Sequence, residues 1–198
     1  RRLLGPTKSM PLRPTPDAMR ERVFAVLGDR VRGARFLDLF AGTGAVGFEA
    51  LSRGARSVVF VDSHRSAARL IRTNCSNLDL EESRVQLIAR PALKAVHDLS
   101  ARGETFDLAW ADPPFEHWRM GLEALAAAIL TGLLTPEAVA CLECPAKADV
   151  ERSLPSDLEI VRELAPRVGL GTGVFDDVGT WKRRILSGVD DKGVSLEA

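Results

Sequence analysis

The sequence is poor in cysteine and in long apolar runs. It contains 3 cysteines among 198 residues, and this odd number argues against a secreted domain held together by disulfides. No apolar run approaches the roughly 20 residues that a membrane span needs. The chain opens with Arg1-Arg2, and no long apolar segment typical of a signal peptide follows them. These absences predict a cytoplasmic protein that contacts no membrane.

The sequence also lacks a net charge, because 27 Lys and Arg balance 27 Asp and Glu. The balance is uneven along the chain, since residues 1–35 hold nine basic and three acidic residues and the remainder is acidic. A basic N-terminal segment on an acidic domain indicates a polyanionic partner such as RNA. The basic residues in question are Arg1, Arg2, Lys8, Arg13, Arg20, Arg22, Arg30, Arg32 and Arg35.

Short apolar runs alternate with helical stretches, which predicts a parallel β-sheet with helices on both faces. The predicted strands are 35–40, 57–62, 85–89, 106–111 and 138–144, with 157–164 and 179–186 as a closing hairpin. The predicted helices between them are 45–53, 63–77, 91–101 and 120–130. We expect three parts: a basic N-terminal extension and helix over 1–34, the main domain over 35–187, and a disordered tail over 188–198.

A glycine-rich turn follows the first predicted strand. Gly42 to Gly47 spells G-x-G-x-x-G, and Asp62 follows Gly42 by twenty residues, as in a dinucleotide fingerprint. Asp38 lies on the strand before this turn, where a carboxylate would repel a pyrophosphate. The methionine part of S-adenosylmethionine instead offers an ammonium group, so the turn favours this cofactor over a nicotinamide or flavin.

The segment Asp112-Pro113-Pro114-Phe115 follows the fourth predicted strand. Prolines have no N–H donor, so their carbonyls remain available as acceptors beside the Asp112 carboxylate. Two such acceptors can bind the two hydrogens of a planar amine while Phe115 stacks on its ring. The segment therefore predicts methyl transfer to an exocyclic amine, whose developing positive charge Asp112 stabilises.

Together, 38–44, 51–55 and 112–115 resemble the bacterial 16S rRNA guanine-N2 methyltransferases of the RsmD family. The segment Arg13-Pro14-Thr15-Pro16-Asp17, followed by Arg20-Glu21 and Phe24, is similar to that family's signature before the first strand. The resemblance implies a Rossmann-like class I methyltransferase fold with seven strands, one of them antiparallel. It also implies S-adenosylmethionine as the donor and guanine N2 of 16S rRNA, free or within a small-subunit particle, as the acceptor of a monomeric enzyme.

The expected site residues fall into three groups, and the resemblance itself carries over Asp38, Gly42, Gly44, Asp62, Asp112, Pro113 and Phe115. The residues expected to bind the cofactor are Asp38, Phe40, Gly42, Thr43, Gly44, Asp62 and Ser63. The target base is expected at Asp112, Pro113 and Phe115, and RNA at Arg13, Thr15 and Arg20. The chain departs from the family pattern at Arg90-Pro91, where an acidic or amide residue usually lies near the adenine, and it contains no tyrosine.

Alternatives to this interpretation remain at this stage. A protein glutamine amide or another nucleic-acid amine fits the same predicted clamp. An NAD-dependent oxidoreductase is disfavoured by Asp38, and a non-catalytic RNA-binding module would not need both motifs. Cys141 and Cys144 form a C-x-x-C without a second Cys pair or a nearby His, so we expect core thiols and no metal site.

Overall fold

The computed structural model describes residues 3–5, 17–145, 148, 160–163 and 181–187. Its seven strands form one sheet in the order β3-β2-β1-β4-β5-β7-β6. The strands are β1 Arg35–Leu39, β2 Ser57–Val61, β3 Val85–Ile88, β4 Phe106–Ala111, β5 Leu134–Pro145, β6 Ile160–Glu163 and β7 Trp181–Ser187. The helices are α1 Asp17–Leu27, α2 Ala45–Ser52, α3 Arg65–Leu78, α4 Ala92–Ser100 and α5 Trp118–Leu130.

Strands β1 to β5 pair in parallel, and β7 pairs antiparallel with both β5 and β6. The predicted mostly parallel, seven-stranded Rossmann-like sheet is thereby confirmed. The strand order starts at β1 and runs outward in both directions, so the crevice at the carboxyl ends of β1 and β4 is where such sheets bind ligands. We call the side of the sheet where β1 to β4 end the carboxyl edge, and the opposite side the amino edge.

Helices cover both faces of the sheet because its strands are apolar on both sides. One core cluster joins α1, α2 and α3 to the sheet through side chains such as Phe24, Phe48 and Ile71. The other joins α4 and α5 through Leu99 and Leu125. The apolar face of α1 is buried at Met19, Val23, Phe24 and Leu27.

Two glycines allow close packing between layers. A Cβ on Gly47 of α2 would lie 2.3 Å from Phe60 Cε1, and one on Gly121 of α5 would lie 2.8 Å from Pro113 Cγ. Both distances are shorter than real Cβ contacts, so only glycine lets α2 approach β2 and α5 approach Pro113. The third glycine of the predicted fingerprint therefore serves helix–sheet packing.

Differences from the predicted elements are small. The helix expected at 120–130 begins at Trp118, which is 6% exposed and part of the core, and β5 begins at Leu134 rather than at 138. Cys141 and Cys144 are buried on opposite faces of β5, in different core clusters, which confirms the expectation of core thiols. Within the ranges described, no helix is long and apolar enough to cross a membrane, and no cluster of His, Cys, Asp and Glu could hold a metal ion.

Candidate active site

The turn between β1 and α2 has the backbone conformation that its glycines predict. Gly42 and Gly44 have φ of 54° and 77°, and Phe40 also has a positive φ of 61°. A positive φ is costly for Phe40, so the surrounding contacts must hold it. The turn is closed by hydrogen bonds from Gly44 N to the Ala41 carbonyl (2.7 Å) and from Ala41 N to the Val61 carbonyl (2.9 Å).

Asp38 lies beneath this turn and is 1% exposed. Its Oδ2 accepts a hydrogen bond from Gly47 N at 3.0 Å, in the first turn of α2. In a dinucleotide site the N-terminus of this helix faces a pyrophosphate. Here an internal carboxyl group already takes that place, so the geometry disfavours a nicotinamide or flavin cofactor.

Asp62 connects the end of β2 to the same turn. Its Oδ2 accepts a hydrogen bond from Gly42 N at 2.8 Å, and its Oδ1 accepts one from His64 N at 2.7 Å. The His64 ring nitrogen Nδ1 lies 3.1 Å from Oδ1. Asp62 is therefore a buried anchor for the turn, a role that the spacing of the motif did not reveal.

The Asp112-Pro113-Pro114-Phe115 segment lies beside the glycine turn. Leu39 pairs with Ala111 in the β1–β4 register, and Asp112 N donates to the Leu39 carbonyl at 3.4 Å. Pro113 is buried against α5, whereas Phe115 is 44% exposed in a short 3-10 helix, Phe115–His117. The structure thus brings both predicted motifs to one crevice at the carboxyl edge.

Three carboxyl groups converge at this crevice. The pKa of Asp38 is raised to about 8, mainly by burial and also by the charges of Asp112 and Asp62, while the hydrogen bond from Gly47 acts in the opposite direction. The crevice therefore has a surplus of negative charge, and an entering cation would favour the ionised form of Asp38. This arrangement suits a ligand with an ammonium or sulfonium group.

The remaining predicted cofactor residues lie around the turn. Thr43 is 7% exposed, and Ser63 is exposed beside Asp62. Arg90, which departs from the family pattern, lies beyond the end of β3 and forms an ion pair with Asp98 at 2.5 Å. The Arg90 side chain thus has an acidic partner on α4 rather than a place within the glycine turn.

Of the predicted RNA-binding residues, the structure describes only Arg20. It lies on α1, and its guanidinium pairs with Asp17 at 2.7 Å. Arg13 and Thr15 lie outside the described residues. Two further basic residues of the N-terminal segment also have acidic partners. Arg35 pairs with Glu104 at the amino edge, and Arg32 pairs with Asp29 at 3.6 Å.

Glu143 is a further acidic residue near Asp112, and no motif of the sequence pointed to it. It lies on β5 and is 4% exposed. Ala111 pairs with Leu142, so Glu143 lies in the row of the sheet that Asp112 would join if β4 continued. Its signal was a charged residue inside the apolar run of 138–144, where an unpartnered carboxylate would be costly.

Comparisons with known proteins agree with this geometry. The model of the family described as conserved hypothetical protein 95 matches residues 1–166. A candidate rRNA methyltransferase of Bacillus subtilis, YlbH, is 36% identical over 108 residues, which cover 54% of this chain and 58% of that protein. The ribosomal RNA small subunit methyltransferase D of Escherichia coli K12 is 33% identical over 147 residues, covering 73% of this chain and 68% of that protein.

A similar solved structure is that of a candidate methyltransferase of Escherichia coli, yhhF. It is 26% identical with a TM-score of 0.67, and the match covers 88% of this chain and 86% of that one. The chain spans less than two thirds of the length of YlbH and about two thirds of the length of the Escherichia coli methyltransferase. The structural match with yhhF covers more of this chain than either sequence match does.

Proposed function

Since this chain belongs to the family described as conserved hypothetical protein 95, we propose that it methylates the exocyclic N2 amine of a guanine in small-subunit (16S) ribosomal RNA, with S-adenosylmethionine as the donor. The observation that carries the proposal is the meeting of two motifs at one crevice. Strands β1 and β4 are adjacent and parallel. The glycine turn follows β1, and the Asp112-Pro113-Pro114-Phe115 segment follows β4. One motif suits a cationic donor and the other a planar amine, so a donor and an acceptor can meet between them.

The donor side of the crevice fits S-adenosylmethionine by charge and by backbone shape. This cofactor supplies a methyl group activated by a positively charged sulfur. Asp38, Phe40, Gly42, Thr43 and Gly44 hold its methionine part, because the turn brings backbone close to the ligand above a carboxyl group. Asp62 and Ser63 bind the ribose at the end of β2.

The acceptor side provides what a weakly nucleophilic amine needs. The lone pair of guanine N2 is delocalised into the ring, so the amine must be held in line with the methyl group. The Asp112 carboxylate and the Pro113 carbonyl accept its two hydrogens, and Phe115 stacks on the base. The N–CH3 bond would form as the S–CH3 bond of the donor breaks, with its electron pair left on sulfur. The positive charge on nitrogen would be stabilised by the nearby Asp112 carboxylate and removed when the nitrogen loses a proton to water.

The RNA must present an unstacked guanine, because Asp112 cannot reach an amine inside a helix. Arg13, Thr15 and Arg20 belong to the basic N-terminal segment and bind the RNA. The cysteine content, three thiols in an odd number, supports a reducing cytoplasm as the place of action. We extend the proposal to a monomeric enzyme that acts on 16S rRNA, free or within a small-subunit particle.

The test is methyl transfer to 16S rRNA followed by mass-spectrometric identification of the modified nucleoside. A 16S transcript and small-subunit particles from cells without the enzyme are both offered as substrates. We expect N2-methylguanosine at one position and none with the Asp112→Ala variant. Methylation of a protein amide with no change in the RNA would favour the glutamine alternative and contradict the proposal.

A further inference from the structure

The outer surface of α3 carries three arginines in a row. Arg65, Arg69 and Arg72 are separated by four and three residues, a spacing that aligns them on one face of the helix, and all three are exposed. With a rise of about 1.5 Å per residue, the first and last lie about 10 Å apart along the helix axis. We call these residues the α3 arginine row.

Within the described ranges, no acidic side chain forms an ion pair with the α3 arginine row. Helix α3 contains no Asp or Glu. Five other arginines in those ranges pair with acidic residues, and none of those ion pairs includes a member of the row. A row of arginines without ion pairs among these residues indicates an external polyanion.

A groove lies directly between these arginines and the end of β3. It has a volume of about 480 Å³ and is lined by Arg65, Ala68, Arg69, Arg72, Thr73 and Ala89. Ala68 and Ala89 are small and uncharged, and the charge around the groove comes from the three arginine side chains. Such a groove can receive a phosphodiester group that several guanidinium groups bind at once.

The α3 arginine row begins beside the proposed active site. Arg65 follows Asp62 by three residues, at the carboxyl edge, on the sheet face that α1 and α2 also cover. Leu4 lies against the same helix, since Asn74 Oδ1 accepts from Leu4 N at 2.8 Å and Asn74 Nδ2 donates to the Leu4 carbonyl at 3.1 Å. Asn74 is 1% exposed and Leu4 is 48% exposed, so the contact is partly buried.

We infer that Arg65, Arg69 and Arg72 bind the sugar-phosphate backbone of the RNA that carries the target guanine. This inference rests on the proposed function, because it takes the polyanion to be the substrate. Arginine contacts to phosphates position RNA without reading its sequence. The row therefore docks one flank of the substrate while the guanine enters the crevice.

The test replaces the three arginines together, as Arg65→Gln, Arg69→Gln and Arg72→Gln. Glutamine keeps a high helix propensity, so α3 should stay folded, which circular dichroism and thermal unfolding check. Binding of a 16S rRNA transcript is measured at several salt concentrations. Because each lost phosphate contact removes about 0.7 to 0.9 from the slope of log K against log salt, the slope should fall by about 2 to 3.

The matched control removes three exposed positive charges elsewhere, as Arg56→Gln, Lys94→Gln and Arg102→Gln. Arg56 and Arg102 lie at the amino edge. Lys94 lies on α4, on the face of the sheet opposite to α3. At 0.1 M salt we expect the row variant to lose at least tenfold in RNA affinity, the control to lose less than threefold, and both to bind S-adenosylhomocysteine like the wild type.

Two outcomes separate this inference from the proposed function. Equal salt slopes and affinities in the row variant and the wild type would overturn the role of the α3 arginine row, even if the wild type methylates guanine. A wild type that makes no N2-methylguanosine while the row variant still loses RNA binding would overturn the proposed reaction and leave the docking surface standing.

Discussion

The two edges of the sheet differ in how their charged side chains are arranged. At the amino edge, Asp107 Oδ2 accepts from Arg35 N at 2.8 Å, and the Arg35 guanidinium pairs with Glu104 and lies 5.1 Å from the ring centre of Phe106. At the carboxyl edge, Asp38, Asp62 and Asp112 are close enough for the charges of the last two to raise the pKa of the first. One edge pairs opposite charges, and the other collects like charges.

This difference distinguishes stabilisation from function. Paired charges at the amino edge satisfy one another, so they need nothing from outside the protein. Collected carboxyl groups destabilise the folded chain unless a cation joins them. The proposed function places a cationic donor at the carboxyl edge, so changes at the two edges should affect different properties.

The largest effect on activity is expected from removing the carboxylate of Asp112, which follows β4 at the carboxyl edge. Asp112→Ala should reduce the rate of methyl transfer about 100-fold or more, because the positive charge on the acceptor nitrogen loses its stabilising partner. Affinity for S-adenosylhomocysteine, measured by calorimetry, should change little. The control Asp107→Ala should lower the melting temperature while turnover per folded molecule stays near the wild-type value, and equal losses of turnover in both would erase the contrast between the edges.

A smaller effect is expected from Asp38→Asn, measured as cofactor affinity against pH. The apo carboxyl group is mostly protonated at pH 6 and must ionise to bind a cation, so wild-type affinity should rise about tenfold per pH unit until about pH 8. The variant should bind more weakly at pH 8 and lose this slope. A wild-type affinity that stays flat from pH 6 to 8 would contradict the raised pKa.

Asp38→Asn should weaken cofactor binding at pH 8, but it should make the free energy of unfolding of the ligand-free protein less sensitive to rising pH. Because the folded pKa of Asp38 is raised from 3.8 to about 8, the stabilising effect of the protonated form is complete below the unfolded value and is lost as pH rises through about 8. Without ligand, the wild-type free energy of unfolding should therefore fall between about pH 4 and pH 8. Asp38→Asn should show a shallower fall in chemical denaturation.

A still smaller effect is expected at Phe115, the position proposed to stack on the base. Phe115→Ala should raise the KM for RNA about tenfold, in line with stacking energies of about 1–3 kcal/mol per base. Leu93→Ala is the matched control, since Leu93 is 41% exposed and Phe115 is 44% exposed. If both substitutions raise KM equally, Phe115 does not contact the base.

The smallest effect is expected from Glu104→Gln, which breaks the ion pair with Arg35. Both side chains are about one third exposed, so the free energy of unfolding should fall by less than about 1 kcal/mol. Methyl transfer and cofactor binding should stay at wild-type levels. A large loss of activity here would show that the amino edge also serves the reaction.

The sequence was sufficient to predict most of the fold. The ends of β1, α2 and β2 differ from prediction by no more than one residue, because apolar runs and glycines mark them directly. The proximity of Asp38 and Asp112 was also predictable, since parallel strands bring their carboxyl ends to one edge. These features depend on local patterns and on one rule of topology.

Features that depend on tertiary contacts were not predictable in the same way. The hydrogen bond from Gly47 N to Asp38 joins residues nine positions apart, and Asp62 reaches back twenty positions to Gly42 N. The α3 arginine row escaped notice because Arg65, Arg69 and Arg72 read as ordinary surface charges. Only the structure shows that they rim a groove at the end of β3 without an acidic partner on their own helix.

Proton exchange on cofactor binding is the most direct test of the carboxyl-edge site. S-adenosylhomocysteine is titrated into the protein at pH 7 in buffers with different ionisation enthalpies, and NAD is titrated in parallel. We predict that S-adenosylhomocysteine binds with release of close to one proton, that Asp38→Asn abolishes this release, and that NAD does not bind. Binding of NAD in place of S-adenosylhomocysteine would contradict a site built to receive a cation, and binding of S-adenosylhomocysteine without proton exchange would contradict a protonated Asp38 in the free protein.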